Sequence, residues 1–124
     1  MINDSHRQTI TFISRTPPYG SDRAQLCLDT ALAAAVFDQE INYVFHSDGV
    51  LQLLNKQNAD AIDCKTLGNI TETLELYGIK NIFVDRGSLQ QRDIQEDDLA
   101  TGVRCIDAER LTEIIDKSHA VFNL

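Results

Sequence analysis

Ile41-Asn42-Tyr43-Val44-Phe45-His46-Ser47-Asp48-Gly49-Val50-Leu51-Gln52-Leu53-Leu54 is the stretch whose reading decides the fold. Four of its first five residues are β-branched or aromatic, the signature of a strand. His46-Ser47-Asp48-Gly49 follows, with short polar side chains that bond to nearby backbone and a glycine that permits a tight turn. Val50 to Leu54 then turns apolar again and is short enough to lie flat on the strand's neighbours. A strand apolar on both faces belongs inside a parallel sheet covered by helices. In such sheets sites form outside the carboxyl ends of the strands, so the polar turn at 46–49 is the first place to look for function.

Outward from this stretch, strands and helices alternate. Gln8 to Ser14 reads as a first strand, and Pro17-Pro18-Tyr19-Gly20 breaks it, since proline cannot donate to a ladder. Ser21 is the expected N-cap of a helix over 21–37, with Ala24, Cys27, Leu28, Ala31, Leu32 and Ala35 at three- and four-residue spacing. Its alanine-rich face predicts close packing on a sheet. Asn55 to Lys65 reads as a polar loop. Thr66 caps a helix with Leu67, Ile70, Leu74 and Tyr77 on one face, and Gly78 ends it. Ile79 to Val84 is a strand closed by a turn at Asp85-Arg86-Gly87, with a short helix over Ser88 to Arg92 and an acidic loop from Gln95 to Thr101. Val103 to Ile106 is a strand, Asp107 caps a helix through Lys117, and His119 to Leu124 is the last strand. The pattern predicts a single domain over 1–124, a three-layer α/β/α sandwich around a mostly parallel sheet of about five strands.

Composition narrows the function. The 124 residues carry 19 acidic against 11 basic side chains, a net charge of −8. Such a surface repels phosphate backbones, so no direct nucleic-acid partner is expected. No run of about 18 apolar residues spans a bilayer and no signal peptide opens the chain, so a cytoplasmic protein without a membrane partner is expected. Cys27, Cys64 and Cys105 are an odd, widely spaced set, which argues against a disulfide framework and a C-x-x-C metal site.

Motifs for chemistry are sparse. The Pro17 to Ser21 loop lacks both G-x-G-x-x-G and the Gly-Lys-Ser/Thr ending of a P-loop, and Asp22 stands where a phosphate would sit. A phospho-receiver needs paired acids after its first strand, where this chain has Ser14-Arg15-Thr16. His6, His46 and His119 have no partners at metal-ligand spacing, and no metal or cofactor is expected. His46 beside Asp48 is equally an acid–base pair or a polar turn. Cys27 and Cys105 fall on core faces, leaving Cys64, beside Lys65 and the cap at Thr66, as the candidate reactive thiol. Asp85 and Arg86, adjacent at a strand end, point different ways and read as a turn.

These residues together resemble the DsrE/DsrF/DsrH-like sulfur-relay family, and most closely its TusC/DsrF branch. The likeness rests on Pro18-x-Gly20, Leu28-Asp29 and Leu32-Ala33 in the first helix, and Phe45 with Asp48-Gly49-Val50 and Leu53-Leu54. It continues through Leu76-Tyr77-Gly78-Ile79 and Ser88-Leu89 before Arg92. The resemblance implies a small α/β/α sandwich and a heterohexamer with TusB/DsrH-like and TusD/DsrE-like paralogues. It implies persulfide sulfur passed toward 2-thiouridine at the tRNA wobble position, as in TusBCD, or sulfur trafficking in sulfur oxidisers, as in DsrEFH. In the family's carrier subunit a cysteine ends a strand just before a helix. The matching place here is held by Asp85 or its neighbour, and a carboxylate cannot carry a persulfide. The expectation is thus a non-catalytic subunit that meets persulfide-carrying proteins indirectly, with Phe45, Asp48, Val50 and Leu53 as interface candidates. The competing reading is a thiol enzyme or sulfur carrier using Cys64, with a homodimeric ligand-binding module third.

Overall fold

The computed structural model describes residues 8–54 and 70–124. Strands β1 (Thr9–Ser14), β2 (Glu40–Phe45), β3 (Asn81–Asp85), β4 (Arg104–Ile106) and β5 (Ala120–Asn123) form one sheet in the order β4-β3-β2-β1-β5. Every pairing is parallel, with Phe12 beside Tyr43, Tyr43 beside Ile82 and Val84 beside Cys105. Between them lie helices α1 (Arg23–Val36), α2 (Ile70–Leu76), α3 (Arg86–Gln91) and α4 (Ala108–Asp116), with a 3₁₀ segment over Ser47–Leu53.

The strand order places the helices. From β1 to β4 the chain steps one way across the sheet, and right-handed crossovers keep α1, the 3₁₀ segment, α2 and α3 on one face. The return from β4 to β5 runs the opposite way, which sets α4 on the other face. Two cores follow. The larger joins Phe12, Tyr43, Phe45, Ile82 and Val84 of the strands to residues from α1, α2 and α3. The smaller joins Ile13, Val44, Phe83 and Ile106 to Leu111 and Ile114 of α4. Each fully buried large side chain contributes about 1.5–3 kcal/mol.

Aromatic rings run across the larger core. Phe12 stacks on Phe122 at 5.1 Å between centroids, and Tyr43 meets Phe45 edge-on at 5.1 Å. Ala24, Cys27, Leu28 and Ala31 form the buried stripe of α1, small enough for the helix to approach the sheet closely. Among the described residues no helix is long and apolar enough to cross a membrane.

Several boundaries differ from expectation for identifiable reasons. Helix α1 opens at Arg23 because the Ser21 Oγ accepts the Arg23 N–H at 3.3 Å, leaving Ser21 outside the helix. Helix α3 opens at Arg86, two residues before the expected Ser88, because Asp85 caps it directly from the strand. The apolar run at 50–53 coils into the 3₁₀ segment, with Val50 and Leu53 buried in the larger core. Tyr77 is 47% exposed, since it follows the last residue of α2 and has left the helix stripe. Cys105 is half-buried, because three-residue β4 is an edge strand with one neighbour. Gly78 ends α2 at a φ of +87°, with its N–H and that of Ile79 closing onto Glu75 and Leu74 carbonyls. The expected loop over 55–65, the Thr66 cap, Leu67, Cys64 and His6 lie outside the described residues.

Gly49 sits where the 3₁₀ segment crosses the end of β1, and a Cβ there would overlap the Ser14 carbonyl oxygen. Gly49→Ala should therefore cost at least about 2 kcal/mol, since rigid backbone has to move to admit a methyl group. Urea denaturation followed by circular dichroism measures it. An unchanged midpoint would mean that the 3₁₀ segment is free to shift.

Candidate functional site

The register that pairs Phe45 with Val84 brings His46 and Asp85, the next residues along, side by side at the carboxyl end of the sheet. Behind them the chain turns into the 3₁₀ segment after β2 and straight into α3 after β3. Both starts therefore expose backbone N–H groups at one point, and such groups need partners when removed from water.

Asp85 supplies them. Its Oδ2 accepts the Ser88 N–H at 2.9 Å and the Ser88 hydroxyl at 2.7 Å, capping α3 from the last residue of β3. The Ser88 Oγ in turn accepts the Ser47 N–H at 2.8 Å. Ser47 has a φ of +53°, an unfavourable backbone for a residue with a side chain, and this bond holds it there. Arg92 adds a second tie from α3: its Nε and Nη2 reach the Asp48 Oδ1 at 3.1 and 2.9 Å, and its Nη1 reaches the Ser88 carbonyl at 3.1 Å. Asp85 and Ser88 are buried, whereas Asp48 is exposed, so the Arg92–Asp48 pair contributes only about 0.2–1 kcal/mol.

His46 is half-buried above this group. Its Nε2 lies 3.5 Å from the Asp85 Oδ2 and its Nδ1 lies 2.9 Å from the Ser47 Oγ. Burial pushes its pKa down from the ordinary 6.5; Asp85 opposes this, and Arg15 and Arg92 reinforce it. The ring is thus neutral at pH 7, and its approach to Asp85 is not an ion pair. A proton on Nε2 directed at Asp85, with Nδ1 accepting from Ser47, satisfies both nitrogens.

This arrangement holds two chain segments together. The Ser88 hydroxyl donates to Asp85, and the hydroxyl beside His46 is that of Ser47, whose Oγ lies 2.9 Å from Nδ1. Cys27 is completely buried and its thiol is pushed up by desolvation against weaker opposing influences from Tyr43 and Ser14. Cys105 is also raised, first by burial, with Arg86 opposing. Among the described residues no group of three or more His, Cys, Asp or Glu side chains is placed to hold a metal ion.

Of the residues singled out in the sequence, Asp85 and Asp48 belong to this site. Phe45, Val50 and Leu53 are 0% exposed and form its floor, so they support a surface without presenting one. His119 is elsewhere, its Nδ1 accepting the Thr9 N–H at 3.0 Å where β5 joins β1. Ser47, Ser88 and Arg92 had no assigned role. The three-residue spacing of Asp85 and Ser88, a helix-cap pattern, was the available signal.

With this geometry in hand, comparison with known proteins identifies the lineage. The DsrE/DsrF-like family model matches residues 8–124. The chain belongs to the DsrE/DsrF-like family. It is 33% identical to the intracellular sulfur oxidation protein DsrF of Allochromatium vinosum, covering 90% of this chain and 93% of that one. It is 33% identical to a TusC homolog of Vibrio vulnificus, covering 88% and 92%. A TusC homolog of Pseudomonas aeruginosa is 30% identical, covering 94% and 98%. The crystal structure of the Escherichia coli ychN protein superposes with a TM-score of 0.76 at 18% identity, covering 94% of this chain and 99% of that one. A Methanobacterium thermoautotrophicum protein of unknown function superposes with a TM-score of 0.68 at 15% identity, covering 95% and 99%. These two likenesses show the fold, and in this DsrE/DsrF-like chain Asp85 ends the third strand of that fold.

Two measurements check the site. Asp85→Ala should destabilise the chain by about 1–2 kcal/mol, since it removes a cap and leaves the buried Ser88 hydroxyl without its acceptor. Asp85→Asn should lower the His46 titration midpoint further, because it deletes the influence that raises it. The sign for stability follows. A histidine whose folded pKa lies below 6.5 binds fewer protons folded than unfolded between those two values, so stability falls as pH drops through that window. His46→Gln should flatten this loss. NMR titration of the His46 ring in parent and Asp85→Asn decides it, and a midpoint that does not move would show that Asp85 is not felt by the ring.

Proposed function

We propose that this DsrE/DsrF-like chain is a non-catalytic subunit of a hetero-oligomeric sulfur-relay complex. It shapes the docking surface and positions the thiol of a paralogous TusD/DsrE-like partner, beside a TusB/DsrH-like one. A single observation carries the reading. The resemblance puts Asp85 or its neighbour where the family's carrier subunit has its cysteine, and Asp85 is a buried helix cap that accepts two hydrogen bonds from Ser88. Relay of sulfane sulfur needs an accessible thiolate to attack a persulfide. A capping carboxylate offers none, and its charge repels an incoming thiolate.

The relatives carry two kinds of name, TusC homolog and intracellular sulfur oxidation protein. The TusC-like reading, with sulfur directed to 2-thiouridine at the tRNA wobble position in the cytoplasm, is preferred. The sulfur-oxidation role is its alternative. At a net charge of −8 the chain acts upstream of the tRNA and does not hold it.

The test is reconstitution with the paralogues encoded by the same organism, native mass measurement, then loading with a persulfide donor. Replacing Cys27, Cys64 and Cys105 by Ala or Ser should leave relay by the assembled complex within about twofold, a change below 0.5 kcal/mol. Omitting the chain should abolish relay by disassembling its partners. Stoichiometric, transferable sulfur on Cys64, found by thiol trapping and mass spectrometry, would replace the scaffold reading with a carrier one. A monomer that ignores its paralogues at micromolar concentration would sink both.

A further inference from the structure

The sheet face under α4 is built in two halves. On β1 to β4 the residues pointing to that face start polar and end apolar, while β5 runs Val121 then Asn123. The sequence is Thr9 and Thr11 then Ile13 on β1, Glu40 and Asn42 then Val44 on β2, Asn81 then Phe83 on β3, and Arg104 then Ile106 on β4. The opposite face is apolar along its length, with Ile41, Tyr43 and Phe45 on β2. Leu111 and Ile114 cover the apolar half. The polar half stays open as a groove of about 350 Å³ beside the carboxyl end of α4. A sandwich layer meant to be sealed by a helix is apolar throughout, so this half-face is built to remain wet.

Cations line the groove. Arg104 rises from β4, while Arg110 and Lys117 stand on the α4 stripe that also carries Ile114; Glu40 is the carboxylate among the lining residues. The Arg104 guanidinium is held in place, 4.9 Å over the Phe83 ring with its Nη2 donating to the Asn81 Oδ1 at 3.3 Å. Its remaining N–H groups are left to donate. Lys117 makes no side-chain polar contact among the described residues. Arg110 is paired with Glu113 at 3.1 Å, which leaves Arg104 and Lys117 without a carboxylate partner among the described residues, in a chain of net charge −8.

We infer that the groove between α4 and the amino ends of β2, β3 and β4 is a docking site for an extended acidic segment of a partner protein. Arg110 and Lys117 are seven residues apart on a helix, so about 10 Å separates them along its axis. One small anion cannot bridge that span with bonds of about 2.8 Å. Carboxylates two or three residues apart on an extended peptide repeat at roughly 7–10 Å and match it. RNA meets the same cations but also the long-range repulsion of the whole acidic chain, which a short peptide feels far less. This inference does not depend on the sulfur-relay reading, and either can fail alone.

The experiment is ¹⁵N NMR titration of the full chain at low salt with a decapeptide carrying four glutamates. The controls are an uncharged decapeptide, inorganic phosphate and an oligouridylate of equal charge. Shifts centred on Asn42, Asn81 and Lys117 with the acidic peptide alone are expected, weakening with salt. Arg104→Gln with Lys117→Gln should reduce affinity about tenfold, and Lys117→Gln alone by a smaller factor. Both side chains are exposed, so the variants should keep the parent's circular dichroism. Four results would overturn the proposal: no shifts, shifts elsewhere, affinity indifferent to both variants, or equal shifts from phosphate. Tighter binding of oligouridylate would assign the groove to RNA instead.

Discussion

The Ser47 N–H donates to the Ser88 hydroxyl, and that hydroxyl donates to the Asp85 carboxylate. The carboxyl end of the sheet depends on this short relay. In a parallel sheet every strand ends on the same edge, so the segments leaving β2 and β3 must find hydrogen-bond partners within a few ångströms of each other. A single buried carboxylate serves both. It caps α3 through the Ser88 N–H, and through the Ser88 hydroxyl it reaches the first turn after β2. Bonds in such a chain polarise one another, and removing any member strands a buried polar group at a cost of about 1–3 kcal/mol. The conformation of Ser47, unfavourable by itself, persists because its N–H has nowhere better to go.

At the end of β3 the carboxylate of Asp85 serves as the cap of α3. The position at the end of β3 faces the first N–H groups of α3, an environment that favours a negative charge. A cysteine there would be drawn toward thiolate; a carboxylate is ionised already and accepts the same bonds. Asp85 therefore holds the local structure together. His46, bonded to Ser47, fills the space above.

Much of this was legible in the sequence. The parallel sheet followed from strands apolar on both faces, and α1 and α4 followed from residues at three- and four-residue spacing, such as Ala24, Cys27, Leu28 and Ala31. The strand order was not legible, because register between distant segments is set by packing and leaves no local mark. The start of α3 was missed because Arg86-Gly87 reads as a turn, whereas the Asp85 cap outweighs the glycine that follows it. Nothing local shows that Gly49 must press against the Ser14 carbonyl, or that Val50 to Leu53 coils over the end of β1. The interface candidates Phe45, Val50 and Leu53 were chosen for apolarity, and apolarity is what buried them. Asp85 was legible as a position, but its role needed Ser88 and Ser47 in three dimensions.

The two edges of the sheet divide the work differently from most open α/β folds. Ligands in such folds usually meet the carboxyl ends of the strands, at crevices left by diverging crossovers. Here three successive crossovers run in one direction from β1 to β4, so no crevice opens between β2 and β3, and the polar groups there are used up on each other. The reversal comes with α4, which returns across the sheet alone. One helix of nine residues spans about 13 Å and cannot cover four strands from end to end. The uncovered half-face must therefore be polar or paired with another molecule, and the strands meet that demand with Thr9, Glu40, Asn42, Asn81 and Arg104. An open surface at the amino edge is thus a consequence of strand order. What distinguishes this chain is that the opening carries cations in an otherwise acidic molecule, which turns a gap in the helical layer into a surface with a preferred partner.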